Sequence, residues 1–232
     1  MTRRSRVAIN TGGSIVAPDT IDTEFLGQLS RTLLDASVDR DLLVVVGGGR
    51  TARRYIDASR ALGANETFLD NVGIEATRLN ARLLMAGLTG SVYEEVPATV
   101  GEAVDAAMDH PIVVMGGTHP GQTTDAVSAM LAERAKAEEL LILTNVNGVY
   151  TADPRKHPDA ERLPEISSGR LVEIVSGGFY KAGSTAVVDP VAAGVIHRAG
   201  ILTKVMDGRD LVQLKAALAG EDFVGTIVVP GD

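Results

Sequence analysis

The chain has 232 residues, of which 45% are hydrophobic and 3% aromatic, with no tryptophan; this suffices for one large α/β domain or two small ones with a core of Val, Leu, Ile and Ala. A formal charge of −8 argues against nucleic acid or an anionic membrane surface as partner, since both favour clustered cations, and the absence of cysteine excludes disulfides and thiolate metal sites. The basic start at residues 1–6 precedes no leader-like apolar core and no run of about 18 apolar residues occurs, so a cytoplasmic setting is expected.

Apolar runs alternate with helical patterns along most of the chain. Val7–Ile9 reads as a short strand. Thr23–Ala36 reads as a helix with Phe25, Leu26, Leu29, Leu33 and Leu34 on one face. Leu42–Val46 is a fully apolar strand and Thr51–Leu62 a second helix. Phe68–Leu88 is long, apolar and interrupted by Gly73, which predicts a bent helix or a helix pair. Ala98–Met108 is a helix opened by Thr99. Ile112–Met115 is a strand, Thr124–Lys136 a helix and Leu140–Leu143 a strand. Residues 145–164 are rich in Asn, Asp, Pro and Gly and read as turns and a loop. Helical patterns return at Arg170–Val175, Val187–Ala199 and Asp210–Ala219, with closing strands at Ile201–Met206 and Thr226–Val229. Strands alternating with helices imply an α/β fold with a mainly parallel sheet. No linker or repeat divides the chain. One domain is expected, with one ligand held by residues up to about 125 and a second by the remainder.

Three glycine-rich turns directly follow apolar runs: Asn10-Thr11-Gly12-Gly13-Ser14, Gly47-Gly48-Gly49-Arg50, and Gly116-Gly117-Thr118-His119-Pro120-Gly121-Gln122-Thr123-Thr124-Asp125. A strand ending in glycines and opening a helix exposes backbone N–H groups at the helix's positive end, a ready site for phosphate. Three together suggest several phosphates at one sheet edge. Gly12-Gly13 reads equally as a tight turn. Three consecutive glycines at 47–49 cost backbone entropy, which a close ligand approach would explain. Of Arg50, Arg53 and Arg54, Arg53 is favoured to point back at phosphate. The third turn spells G-x-x-x-x-G-Q-T, close to a P-loop but with Gln122 in place of the lysine. His119 either acts in catalysis or shapes the loop, and Asp125 supports the following helix N-terminus rather than binding metal. Thr144 and Asn145 end an apolar strand. Beyond them, Tyr150 can stack on a base and Asp153 can accept from a ribose or contact nucleotide-bound metal, or the segment is simply two turns. Lys181 is a mobile cation for phosphate or an ordinary surface lysine. No side-chain metal site stands out.

This combination resembles the amino-acid kinase superfamily, and within it the archaeal type of uridylate (UMP) kinase. The resemblance runs over nearly the whole length and is carried by residues 45–56, 69–81, 115–126, 144–154 and 181–190. It implies an open αβα sandwich assembled as a homo-hexamer. The implied reaction transfers the ATP γ-phosphoryl group to UMP with Mg²⁺, giving UDP and ADP for pyrimidine nucleotide synthesis. Residues up to about 125 would form the phosphate-acceptor lobe, and about 126–232 the ATP lobe. By position, Asn10, Thr11, Gly12, Gly13, Ser14, Gly49, Arg53, Thr144, Asn145, Tyr150 and Asp153 would bind ATP. Gly48, Asp70, Thr118, His119, Pro120, Gly121, Gln122, Thr123 and Thr124 would bind UMP. Gly12, Gly13, Arg53 and Lys181 would stabilise the transferring group. Asp70 has an ordinary alternative as a helix N-cap before Val72–Ala76. Many members carry a lysine where this chain has Asn10, so that charge must be offset by Mg²⁺, Arg53 or Lys181. The alternatives are another small-molecule kinase of the superfamily, or a non-catalytic nucleotide or oxyanion binder on the same fold.

Overall fold

A computed structural model describes residues 4–154, 156–176 and 187–232. Its strands are β1 (Ser5–Thr11), β2 (Arg40–Val46), β3 (Ile112–Met115), β4 (Glu139–Thr144), β5 (Glu165–Ser167), β6 (Leu202–Asp207) and β7 (Thr226–Val229). Its helices are α1 (Gly13–Val16), α2 (Thr23–Ala36), α3 (Gly49–Ala61), α4 (Glu66–Met85), α5 (Val100–Ala106), α6 (Thr124–Ala135), α7 (Ser168–Ser176), α8 (Pro190–Ala199) and α9 (Leu211–Ala219). The strands form one sheet in the order β3-β2-β1-β4-β6-β7-β5, with β7 antiparallel to β6 and every other pairing parallel.

Strand periodicity sorts the core into two layers. On one face Val44, Val46, Ile9 and Leu141 meet Leu29 and Leu33 of α2, Leu84 of α4 and Leu214 of α9. On the other, Leu43, Val45, Val113 and Met115 meet α5 and α6, while Ala8, Leu140, Ile142 and Val205 meet α6, α7 and α8. The first of these layers joins β1 and β2 to β4, β6 and α9, so one continuous core spans both halves of the chain. Each fully buried leucine in it contributes about 2 kcal/mol. Helices on both faces make the αβα sandwich expected from the resemblance.

Three elements differ from the sequence reading. Gly13–Val16 forms a short helix where no element was read. Residues 66–85 form one helix rather than a bent one or a pair. Gly73 sits inside it because a Cβ there would meet Ile56 Cδ1 of α3 at 3.3 Å; packing between the two helices, not a break, accounts for the glycine. The strand Glu165–Ser167, three residues long at the end of the sheet, gave too short a pattern to register. The loop before it is closed by a bridge between Tyr150 and Arg162, and Val149 N–H is taken by Thr226 Oγ1 at 2.8 Å.

Candidate active site

The three glycine turns leave the carboxyl ends of β1, β2 and β3, adjacent strands, so they converge at one edge where open α/β sheets hold ligands. The first two are packed backbone against backbone. A Cβ added to Gly13 would lie 1.9 Å from Gly49 N, and one added to Gly47 would lie 2.5 Å from Gly13 N. Gly49 also has φ +57, a left-handed conformation that favours glycine. The sequence reading attributed the triglycine to close approach of a ligand. At Gly47 and Gly49 the close neighbour is the β1 turn itself.

A cavity of about 310 Å³ opens between the second and third turns. It is lined by Gly48, Gly49, Arg53, Asp70, His119, Gly121, Gln122, Thr123 and Thr124, with Ala52, Gly73, Ile74, Thr77 and Gly117. Arg50 and Arg54 both pair with Asp19, at 3.4 and 3.3 Å, whereas Arg53 faces the cavity. Thr118 and Pro120 belong to the same loop but do not line it; Thr118 is buried and donates to Gln122 Oε1 at 2.7 Å. Asp70 lies within α4, whose N-cap is Asn65, so its reading as a cap is overturned. Its carboxylate accepts from Gly121 N–H at 2.8 Å and ties the loop to the helix.

Thr144 and Asn145 stand at the end of β4, next to β1 in the sheet, and Gly12 N–H donates to Leu143 C=O at 2.9 Å. Tyr150 donates to Asn147 Oδ1 at 2.6 Å, and Asp153 is buried with Lys156 Nζ 3.8 Å from its carboxylate. None of these four residues lines the 310 Å³ cavity. Lys181 lies outside the described residues.

Asp125 lies in the first turn of α6, as the sequence reading has it, but its inward contact was not foreseen. Thr123, not Asp125, caps α6, accepting from Ala126 N–H. Asp125 turns inward: it accepts from Asn10 Nδ2 at 2.7 Å and from the Asp189 amide. Thr123 also donates to Asp189, the N-cap of α8. The loop after β3, β1 and α8 therefore meet at this pair of carboxylates. Burial, and then the charge of Asp189, push the Asp125 carboxyl up to about 6 against the hydrogen bond from Asn10, which lowers it. Asn10 Oδ1 and Thr11 Oγ1 are buried without a hydrogen-bond partner among the described residues; such orphans are rare in passive cores. The only advance signal for Asp125 was its place two residues after a capping threonine.

This arrangement has a pH consequence. The folded state binds the Asp125 proton more tightly than the unfolded chain does. Stability is therefore fully present below the ordinary value of 3.8 and is lost as pH rises to about 6. Relative to an Asp125→Asn variant, the wild-type protein is expected to lose stability across that window and to level off above it. Urea midpoints measured at intervals of pH test this, and parallel profiles for the two proteins would exclude Asp125 as the titrating group.

The family model described as the amino acid kinase family matches residues 5–207. The chain is 47% identical over 225 residues to a uridylate kinase of Pyrococcus abyssi, covering 97% of this chain and 100% of the relative. It is 46% identical over 222 residues to a uridylate kinase of Methanospirillum hungatei, covering 96% and 94%. The crystal structure of uridylate kinase from Archaeoglobus fulgidus is similar with a TM-score of 0.86 at 40% identity, covering 97% of this chain and 100% of that one. A UMP kinase structure from Bacillus anthracis, at 19% identity and a TM-score of 0.80, shares the fold.

Proposed function

We propose that this chain, which belongs to the amino acid kinase family, phosphorylates UMP with ATP, giving UDP and ADP. The observation that carries the reading is that Arg53, Asp70 and the glycine turns after β2 and β3 line one cavity at the carboxyl edge of the sheet, with the β1 turn packed against the β2 turn beside it. UMP occupies that cavity, with its phosphate toward Gly48 and the 118–124 loop and its ribose within reach of Asp70. ATP lies along residues 10–14, Gly49 and the end of β4, with Thr144, Asn145, Tyr150 and Asp153 on its nucleoside side.

The chemistry asks for positioning and charge stabilisation more than for a base. A phosphate oxygen of UMP is already an anionic nucleophile. It attacks the γ-phosphorus in line, the bond from that phosphorus to the β–γ bridging oxygen breaks, and ADP leaves with the electron pair. Backbone amides of the glycine turns and the Arg53 guanidinium meet the charge that develops. Among the described residues no three carboxylates or imidazoles gather to hold a metal ion. The nucleotide phosphates would hold Mg²⁺, with water and the Asp153 side chain as further ligands, and it would supply charge neutralisation there. Chromatography of the products tests the reaction: one UDP is expected for each ADP, and ADP formed without UDP would contradict it.

The reaction is proposed to run in the cytoplasm, in a homo-hexamer. Supporting self-association, Tyr55, Phe68 and Leu79 are 64%, 55% and 60% exposed along one apolar face of α3 and α4, beside Val72 and Ala76; covering such a face is a common reason for assembly. A monomer in sedimentation at micromolar concentration would remove this part of the proposal.

A further inference from the structure

Helix α4 brings Asp70, Thr77 and Asn80 to the same side as the glycine turns, and each holds backbone of a turn. Asp70 Oδ2 accepts from Gly121 N–H at 2.8 Å. Thr77 Oγ1 accepts from Gly117 N–H at 2.6 Å, while its own proton goes to Ile74 C=O, also at 2.6 Å. That bond back to the preceding turn fixes the hydroxyl so that a lone pair faces Gly117. Asn80 Nδ2 donates to Gly47 C=O at 2.9 Å and to Gly48 C=O at 3.0 Å. Thr77 and Asn80 are only 7% and 3% exposed, so water cannot readily replace these bonds. The fit is close: a Cβ on Gly116 would lie 2.5 Å from Thr77 Oγ1 and 2.8 Å from Arg78 N.

We propose that Thr77 and Asn80 are positioning residues, and that α4 is the strut that sets the distance between the acceptor loop after β3 and the triglycine turn after β2. Neither side chain needs to react. Thr77 holds only the acceptor loop, so it governs acceptor affinity. Asn80 holds the turn from which Gly48 faces the acceptor and Gly49 the donor, so it governs alignment of the two. The assignment to acceptor and donor rests on the UMP kinase reading above. The mechanical part, that two side chains of one helix hold two turns, rests on the hydrogen bonds alone.

Thr77→Val keeps the shape and removes the hydroxyl. Leaving a buried N–H unsatisfied is expected to raise KM for UMP about tenfold and to leave KM for ATP within about twofold. Thr77→Ser restores the wild-type value. Asn80→Leu is expected to lower kcat by about tenfold or more, with both KM values raised. Leu84→Val serves as the control. It loosens the core of the same helix and should lower Tm without changing the ratio of the two KM values. Hydrogen exchange on the free protein reads the mechanical part without substrate: amides at 116–121 exchange faster in Thr77→Val, and those at 47–49 in Asn80→Leu. An unchanged KM for UMP in Thr77→Val, the same shift in Leu84→Val, or no recovery in Thr77→Ser would overturn the proposal. If the wild-type protein does not phosphorylate UMP, the functional reading fails separately. Exchange confined to the two turns then upholds the strut, and unchanged exchange overturns it.

Discussion

Replacing Arg53 with alanine is expected to lower kcat/KM for UMP by about tenfold to a thousandfold, the scale for losing one charge-stabilising donor, with no change in Tm. Arg53 is exposed and lines the cavity with Gly49 and Asp70, so the fold does not depend on it. Its neighbours provide the internal comparison. Arg50 and Arg54 follow the same turn but are directed to Asp19, and alanine at either should leave kcat/KM within about twofold, as for exposed pairs. Arg53→Lys should recover part of the loss, because it keeps the charge and gives up the planar fork of donors. The stakes at this position are set by Asn10. With an amide there, Arg53 is the lysine or arginine that the described structure places on the cavity wall. Steady-state kinetics on the four variants decides the matter, and wild-type kinetics in Arg53→Ala would remove it from the site.

The largest effect on folding is expected at Gly13. An alanine methyl there would stand 1.9 Å from Gly49 N, 2.6 Å from Gly49 Cα and 2.7 Å from Gly47 C. All three are backbone atoms that no rotamer change can move. The turns after β1 and β2 would have to part, and the hydrogen bond from Arg50 N–H to Ala17 C=O at 3.2 Å would be drawn with them. The destabilisation should reach about 3 kcal/mol, the upper end of the usual range for overpacking, and activity should fall with it because both turns face the proposed phosphates. Gly27→Ala is the control: nothing lies within 4 Å of a Cβ there and it sits in α2, where alanine is the better helix former. Urea midpoints for the two variants give the comparison, and equal stability of Gly13→Ala and wild type would show that the turns can separate freely.

Most elements were legible because each carries a local signature. Helix α2 begins and ends where its apolar stripe placed it, and the strands Ile112–Met115 and Thr226–Val229 coincide with the runs read as strands. What local pattern could not supply was contact between distant segments. Gly73 looked like a break because its reason, Ile56 of the neighbouring helix, lies elsewhere in the chain. The triglycine looked like a cradle for ligand because its partner, Gly13, lies more than thirty residues away. Asp70, Thr77 and Asn80 carry no signal as a set until one helix turns them toward loops that follow two different strands. Asp125 looked like an ordinary helix-start acid until β1 delivered Asn10 to it. The three glycine turns were legible; the contacts that fix their spacing were not.

The most direct test of the central claim is ADP release from MgATP with UMP, CMP, dUMP, N-acetylglutamate and carbamate offered one at a time. The account predicts fast turnover with UMP and little with the amino-acid and carbamate acceptors, which would also show that Asn10 is compatible with catalysis. No turnover with any acceptor, in folded protein that still binds nucleotide, would contradict it and leave a nucleotide-binding protein without kinase activity.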